Sequence, residues 1–148
     1  MSSSPAYEHN GQRISREQFY RIACDPRRSV VVEACAGAGK TWMLVSRILR
    51  ALLEGAQPHE ILAITFTKKA AGEMRQRLHE WLQAFASASP EQLDAALAER
   101  GLAPTPPLRQ ALRDLYPRLL ACGRPVQVRT FHSWFAALLR RHGSSTLR

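Results

Sequence analysis

Eight residues, Ala34-Cys35-Ala36-Gly37-Ala38-Gly39-Lys40-Thr41, separate a valine-rich run from a long amphipathic one, and they constrain the chain more than any other feature. A stretch this small and glycine-rich has no side chains with which to build a core, and its glycines adopt backbone angles closed to other residues. It reads as a tight turn. Before it, Ser29–Glu33 has the β-branched character of a strand buried on both faces. After it, Leu44, Val45, Ile48, Leu49 and Leu52 recur at helical spacing within Thr41–Glu54, and Gly55 is a suitable stop. Strand, glycine turn and helix in that order, followed by a second strand at Ile61–Phe66 and a second helix at Lys68–Phe85, point to the α/β class, with a parallel sheet flanked by helices.

The same eight residues have a chemical use. A triphosphate needs several N–H donors converging on one anion, and residues without bulk let the backbone wrap the β-phosphate. Ala36, Gly37, Ala38, Gly39, Lys40 and Thr41 are therefore the candidate nucleotide-binding residues, with ATP as the cofactor. Lys40 bridges the β- and γ-phosphates and Thr41 gives its hydroxyl to Mg²⁺, which makes these two the catalytic candidates and Thr41 the metal ligand. The pattern is that of a Walker A motif in which Ala34 stands where Gly is usual. The plain alternative is a glycine-softened turn into a helix that happens to carry Lys-Thr. Hydrolysis also needs an acidic residue at the end of another strand, and no later strand candidate ends in Asp-Glu. The chain holds half of an ATPase site.

The remaining pattern continues the α/β reading. Residues 1–14 are polar, lack the apolar centre of a secretory signal, and read as a disordered tail. Ser15–Cys24 is a short helix, with Ser15 and Gln18 forming a capping box. Ile61–Phe66 and Val126–Arg129 are two further strands, Lys68–Phe85 a long helix, and Phe131–Arg141 a closing helix with Trp134, Phe135, Leu138 and Leu139 as its apolar stripe. Trp81 and Trp134 read as core residues on their helix stripes. Between about residues 87 and 123 lie two helical patterns, Glu91–Arg100 and Leu108–Cys122, and Pro117 is expected to kink or divide the second. Residues 15–148 thus form one domain with a helical insertion. Cys24, Cys35 and Cys122 match neither a disulfide framework nor a metal knuckle, and read as reduced. No apolar stretch approaches the roughly 20 residues a membrane helix needs, so the expectation is a cytoplasmic protein. Charge is one-sided: residues 100–148 carry nine Arg against the single Asp114, an arrangement suited to polyanions or simply to a solvated surface.

Three more segments stand in order around the glycine turn. Arg16-Glu17-Gln18-Phe19 precedes it, Ile64-Thr65-Phe66-Thr67-Lys68-Lys69-Ala70-Ala71-Gly72-Glu73-Met74 follows it, and Thr130-Phe131-His132-Ser133-Trp134-Phe135 comes near the end. Together with Ala34–Thr41 they resemble the Q motif and motifs I, Ia and Ib of superfamily 1 DNA helicases of the UvrD and RecB type, over residues 15–142. The resemblance implies a partial RecA-like P-loop NTPase domain in which Gln18 reads adenine. It also implies that Thr65, Phe66, Thr67, Lys68, Thr130, Phe131 and His132 line a track for DNA, single-stranded or at a duplex end. Trp42 and the long spacer between the last two motifs lean towards the RecB-like and AddA-like recombination helicases, where a second helicase/nuclease subunit is a partner of the full-length protein. Other readings stay open for single residues: Gln18 as a cap alone, Phe66 as a core aromatic, His132 as a helix-start residue.

The resemblance makes the chain an N-terminal portion of a motor domain, serving ATP-driven translocation or unwinding of DNA in break repair or recombination. Alone it is expected neither to unwind DNA nor to turn over ATP, and to be marginally stable, because its sheet leaves strand edges open. Two other functional classes compete: a small P-loop kinase or phosphotransferase with an Arg-rich lid, and a basic DNA-binding module with a vestigial phosphate loop.

Overall fold

The computed structural model describes residues 7–33 and 39–143. The chain enters through a hairpin, β1 (Tyr7–His9) and β2 (Gln12–Ile14), antiparallel with Tyr7 opposite Ile14. Asn10 and Gly11 join them with φ of 51° and 80°, the twist that favours Asn-Gly in two-residue hairpin turns. The expected disordered tail is therefore corrected for residues 7–14, while residues 1–6 lie outside those described. A two-stranded hairpin has little stability by itself, and this one gains it by packing on α1 (Arg16–Ala23). The Tyr7 ring lies 4.9 Å from Phe19 and 6.0 Å from Tyr20.

Four helices enclose the main core. They are α2 (Lys40–Leu53), α3 (Lys68–Ala86), α4 (Pro90–Glu99) and α5 (Pro106–Cys122). Val45, Leu49 and Leu52 of α2 are fully buried against Leu78 and Leu82, Leu93 and Leu97, and Leu112 and Leu115 of the other three. Each of α3, α4 and α5 starts where its sequence directs. The side chains of Thr67, Ser89 and Thr105 accept N–H bonds at the N-caps, and Pro occupies the first turn of α4 and α5, where its missing N–H costs nothing. Helix α5 runs unbroken through Pro117, so of the expected kink or division the division does not occur: core contacts on both sides of the proline, from Leu112 and Leu115 to Leu119, hold the helix together across the lost hydrogen bond.

A 3₁₀ turn (Pro58–Glu60) leads into β3 (Leu62–Thr65), which pairs in parallel with β4 (Gln127–Thr130), Leu62 beside Gln127 and Thr65 beside Thr130. Helix α6 (Phe131–Gly143) follows at once. The expected strand at Ser29–Glu33 is corrected: those residues carry no regular structure, and Val31 is 91% exposed. A buried parallel strand exists only through neighbours on both edges, and the parallel sheet among the described residues consists of β3 and β4 alone. The stripe on α6 is likewise only partly covered, with Trp134 and Leu138 half-buried while Phe135 and Leu139 face solvent.

Part of the Arg-rich segment is engaged within the fold, while Arg124, Arg140 and Arg141 are exposed. Arg109 pairs with Asp94 through two bonds of 2.8 and 2.9 Å, Arg113 donates to the Ala88 carbonyl, and Arg118 to that of Leu52.

A second small cluster joins α1 to α2: Ala23, Cys24 and Met43, walled by Phe19, Tyr20, Val32 and Trp42. Burial pushes the Cys24 thiol from its ordinary 9.0 to about 11, against the pull of the Arg50, Arg100 and Arg47 guanidiniums. The unfolded chain therefore releases this proton first, and stability contributed by the neutral thiol is lost as pH rises from about 9 to about 11. Thermal melts at about pH 8 and about pH 10.5 should show a drop in the wild type that Cys24→Ala reduces. In the main core, Leu49→Ala should cost about 3 kcal/mol in denaturant unfolding, since it removes a fully buried side chain between three helices.

Candidate nucleotide and DNA interface

The first turn of α2 carries the candidate nucleotide residues Lys40 and Thr41. Gly39 heads the helix in the left-handed region at φ 86°, ψ 19°, a conformation costly to a side-chain-bearing residue. Lys40 is exposed and Thr41 half-buried as the first two helical residues. The first intrahelical bond runs from the Met43 N–H to the Gly39 carbonyl at 3.0 Å, so the preceding N–H groups point out of the helix end, where anions are favoured. Ala36, Gly37 and Ala38 lie outside the described residues.

Helix α1 stands against this turn, since a Cβ on Gly39 would sit 3.9 Å from the Tyr20 hydroxyl. Between them opens a cleft of about 390 Å³ lined by Arg16, Glu17, Tyr20, Trp42, Ala98 and Glu99. Gln18 is exposed on the same helix, and its amide is partly engaged. Its backbone N–H donates to the Ser15 hydroxyl at 3.1 Å, and its side-chain Oε1 accepts the Ser15 N–H at 3.1 Å. The structure thus brings Gln18, Gly39, Lys40 and Thr41 onto neighbouring elements, with Gln18 acting as a cap.

Buried arginines hold these elements together, and the sequence patterns did not single them out. Arg50 is 4% exposed, and its Nη1 donates to the carbonyls of Arg21 at 3.0 Å and Arg100 at 3.2 Å. Arg47 donates to the carbonyls of Ala23 and Arg28. Asp25 receives the Arg27 N–H at 3.0 Å, which together with the nearby Arg50 holds its carboxyl below the usual carboxylate range. The available signal was an arginine placed among Ile48, Leu49 and Leu52 on an otherwise apolar helix face.

The DNA candidates lie where the parallel strands end. The register sets Thr65 beside Thr130, so the loops 65–68 and 130–132 emerge together at the C-terminal edge of the sheet, the usual place for ligands in open α/β folds. The Thr65 hydroxyl donates to the Thr67 carbonyl at 3.0 Å, and the Thr67 hydroxyl accepts the Ala70 N–H at 3.1 Å as the cap of α3. Lys68 is exposed at that helix start, and Phe66 is 91% exposed, which removes the core-aromatic reading. Thr130 is 9% exposed and its hydroxyl accepts the Ser133 N–H at 3.2 Å, which makes it a cap for α6. Phe131 and His132 are exposed on the next turn, and the Phe131 ring lies parallel to Phe135 at 6.1 Å.

Known proteins match this chain in sequence. A protein of Lactobacillus helveticus, described as one of the subunits of an ATP-dependent helicase/nuclease, is 48% identical over 66 residues, 45% of this chain and 5% of that protein. One of the same description from Streptococcus sanguinis is 41% identical over 90 residues, 60% of this chain and 7% of that protein. A probable DNA helicase of Mycoplasma pneumoniae is 31% identical over 135 residues, 90% of this chain and 18% of that protein. The chain thus spans less than a fifth of the length of each of these relatives. No solved structure matches it. The UvrD/REP helicase N-terminal domain family matches residues 14–147, nearly the whole chain from the cap of α1 to the end of α6, and the chain belongs to that family.

Proposed function

We propose that the chain is the ATP-binding and part of the DNA-contacting portion of a DNA helicase, in which nucleotide turnover drives translocation along DNA during break repair or recombination. The observation that carries this reading is the left-handed Gly39 heading α2, with Lys40 and Thr41 as its first two residues and the cleft of α1 alongside. A triphosphate placed at that helix end meets outward N–H groups, the Lys40 ammonium and the Thr41 hydroxyl. The Thr41 hydroxyl would help hold a Mg²⁺ ion accompanying the nucleotide, and that ion would supply neutralisation of the phosphate charge. The purine lies along α1, where Gln18 has its amide nitrogen to offer a ring acceptor while its oxygen serves the cap.

DNA runs past the ends of β3 and β4. Phe66 stacks on a base, Phe131 and His132 extend the platform, and Lys68 with the α3 N-terminus takes phosphate. Thr67 keeps a hydroxyl proton for the same purpose. Thr65 and Thr130 shape the two loops, since their hydroxyls are engaged with the backbone. The description of the relatives as helicase/nuclease subunits supports a partner chain in the parent assembly. Among the described residues no helix is long and apolar enough to cross a membrane.

Calorimetric titration of the wild-type chain with Mg-ATP should show saturable binding that Lys40→Ala weakens by about tenfold or more. A folded chain that gives no heat, or a Lys40→Ala variant of equal affinity, contradicts the nucleotide reading. For single-stranded DNA, Phe66→Ala should lower affinity by about tenfold with no change in the salt slope, because it removes a base stack and no phosphate contact. Lys68→Ala should instead reduce that slope by about 1.

A further inference from the structure

Arg100 ends α4 in a setting that a surface arginine does not need. It is 3% exposed, and its guanidinium carbon lies 4.4 Å from the Trp81 ring centre, 5.0 Å from Trp42 and 5.5 Å from Phe85. Nη1 donates to the Ala96 carbonyl at 2.7 Å, the nearest carboxylate oxygen is that of Glu99 at 4.0 Å, and Nε is buried without a hydrogen-bond partner. Burial pushes this guanidinium down to about 10. An apolar side chain would fill the space without that desolvation, so packing by itself gives no reason for a charge here.

What the charge touches supplies a reason. Trp42 is the third residue of α2, next to Thr41, and its ring also meets Tyr20 of α1 edge-on at 5.1 Å and Trp81 of α3 at 6.0 Å. The Arg100 carbonyl accepts from Arg50 of α2, whose same nitrogen donates to the Arg21 carbonyl at the end of α1. Gly101, at φ 79°, lies so close to Arg21 that a Cβ there would approach its Cα to 2.5 Å. The C-terminal end of α4 therefore grips both elements that carry the nucleotide residues, α1 with Gln18 and α2 with Lys40 and Thr41. Ala98 and Glu99 of the same helix line the cleft between them.

We propose that Arg100 is a positioning residue for the nucleotide: by holding the Trp42 indole between α3 and α4, it sets the first turn of α2 in the orientation that receives the triphosphate. The C-terminal end of α4 thereby tunes nucleotide affinity without touching the phosphates. The inference rests on the nucleotide reading above and adds to it a residue that none of the four motifs contains.

The test is Mg-ATP titration of the 148-residue chain as wild type, Arg100→Met, Arg100→Lys and Arg109→Met, each well below its own thermal transition and with indole fluorescence followed in parallel. Arg109→Met severs the Asp94 pair within the α4–α5 unit and is the control for loosening that unit. Arg100→Met should raise the Kd by about tenfold, Arg100→Lys should recover about a third of that factor on a logarithmic scale, and Arg109→Met should stay within about twofold of wild type. Wild-type affinity in both Arg100 variants overturns the proposal, as does an equal loss in Arg109→Met, which would make the effect one of general stability. Should Arg100→Met fail to fold, Arg100→Lys and Trp42→Phe decide: unchanged affinity in both overturns it and weakened affinity in both upholds it. A folded wild type that binds no Mg-ATP overturns the nucleotide reading itself, and this inference with it.

Discussion

The burial of one face of α2 is the contact on which the rest of the structure depends. Val45, Leu49 and Leu52 are fully buried in a core to which α3, α4 and α5 all contribute, so this face ties the helix that carries Lys40 and Thr41 to three helices that also pack on one another. Hydrophobic burial is non-directional and does not by itself orient a helix end. Orientation comes from the polar bonds around the same helix. Arg47 and Arg50 reach from α2 to the carbonyls that close α1, and Arg50 also reaches the one that closes α4. Burial holds the helix in place, and directional donors determine where its N-terminus points.

That division of labour explains why buried charge is tolerated here. A guanidinium that donates to two carbonyls at helix ends satisfies acceptors that would otherwise be orphaned, since the last turn of a helix leaves its C=O groups without intrahelical partners. Arg50 does this for two segments at once. Arg100 offers its carbonyl to Arg50 and its cationic face to three aromatic rings. The chain has 18 Arg and only three Lys, and a planar fork bound to carbonyls and stacked on indoles is a role that Lys fills poorly.

Much of the local structure around the candidate site was legible in the sequence. The capping box at Ser15 and Gln18, the stop at Gly55, the start of α2 beside Gly39 and the starts of α3 and α6 at the two Thr-Phe segments all follow local chemistry, and the structure places them within a residue or two of expectation. Asn10-Gly11 was an equally local signal for a hairpin, hidden within a polar stretch that read as a tail. Ser29–Glu33 failed for the opposite reason. Its valines have strand propensity, but β-propensity reflects packing against neighbours, and the described residues bring no strand beside it. Pro117 does not divide α5, because core contacts on both sides of it outweigh a single lost hydrogen bond. The basic segment from residue 100 read as suited to polyanions or simply to a solvated surface, and the structure divides it: Arg100, Arg109, Arg113 and Arg118 are engaged within the fold, while Arg124, Arg140 and Arg141 are exposed.

The sequence by itself determined the identity and order of the chemical groups: small residues before Lys-Thr, hydroxyl and aromatic residues after each strand, and apolar stripes of helical period. These are consequences of spacing along one chain, which short-range sterics and capping convert into local structure. Only the tertiary structure decided which of those groups meet. Parallel pairing of β3 and β4 set Thr65 beside Thr130 and so joined two loops far apart in sequence. The packing of α4 against α1 and α2 buried Arg100 over Trp42. Contacts of this kind depend on loop closure and shared burial, and neither leaves a periodic trace in the residues that make them.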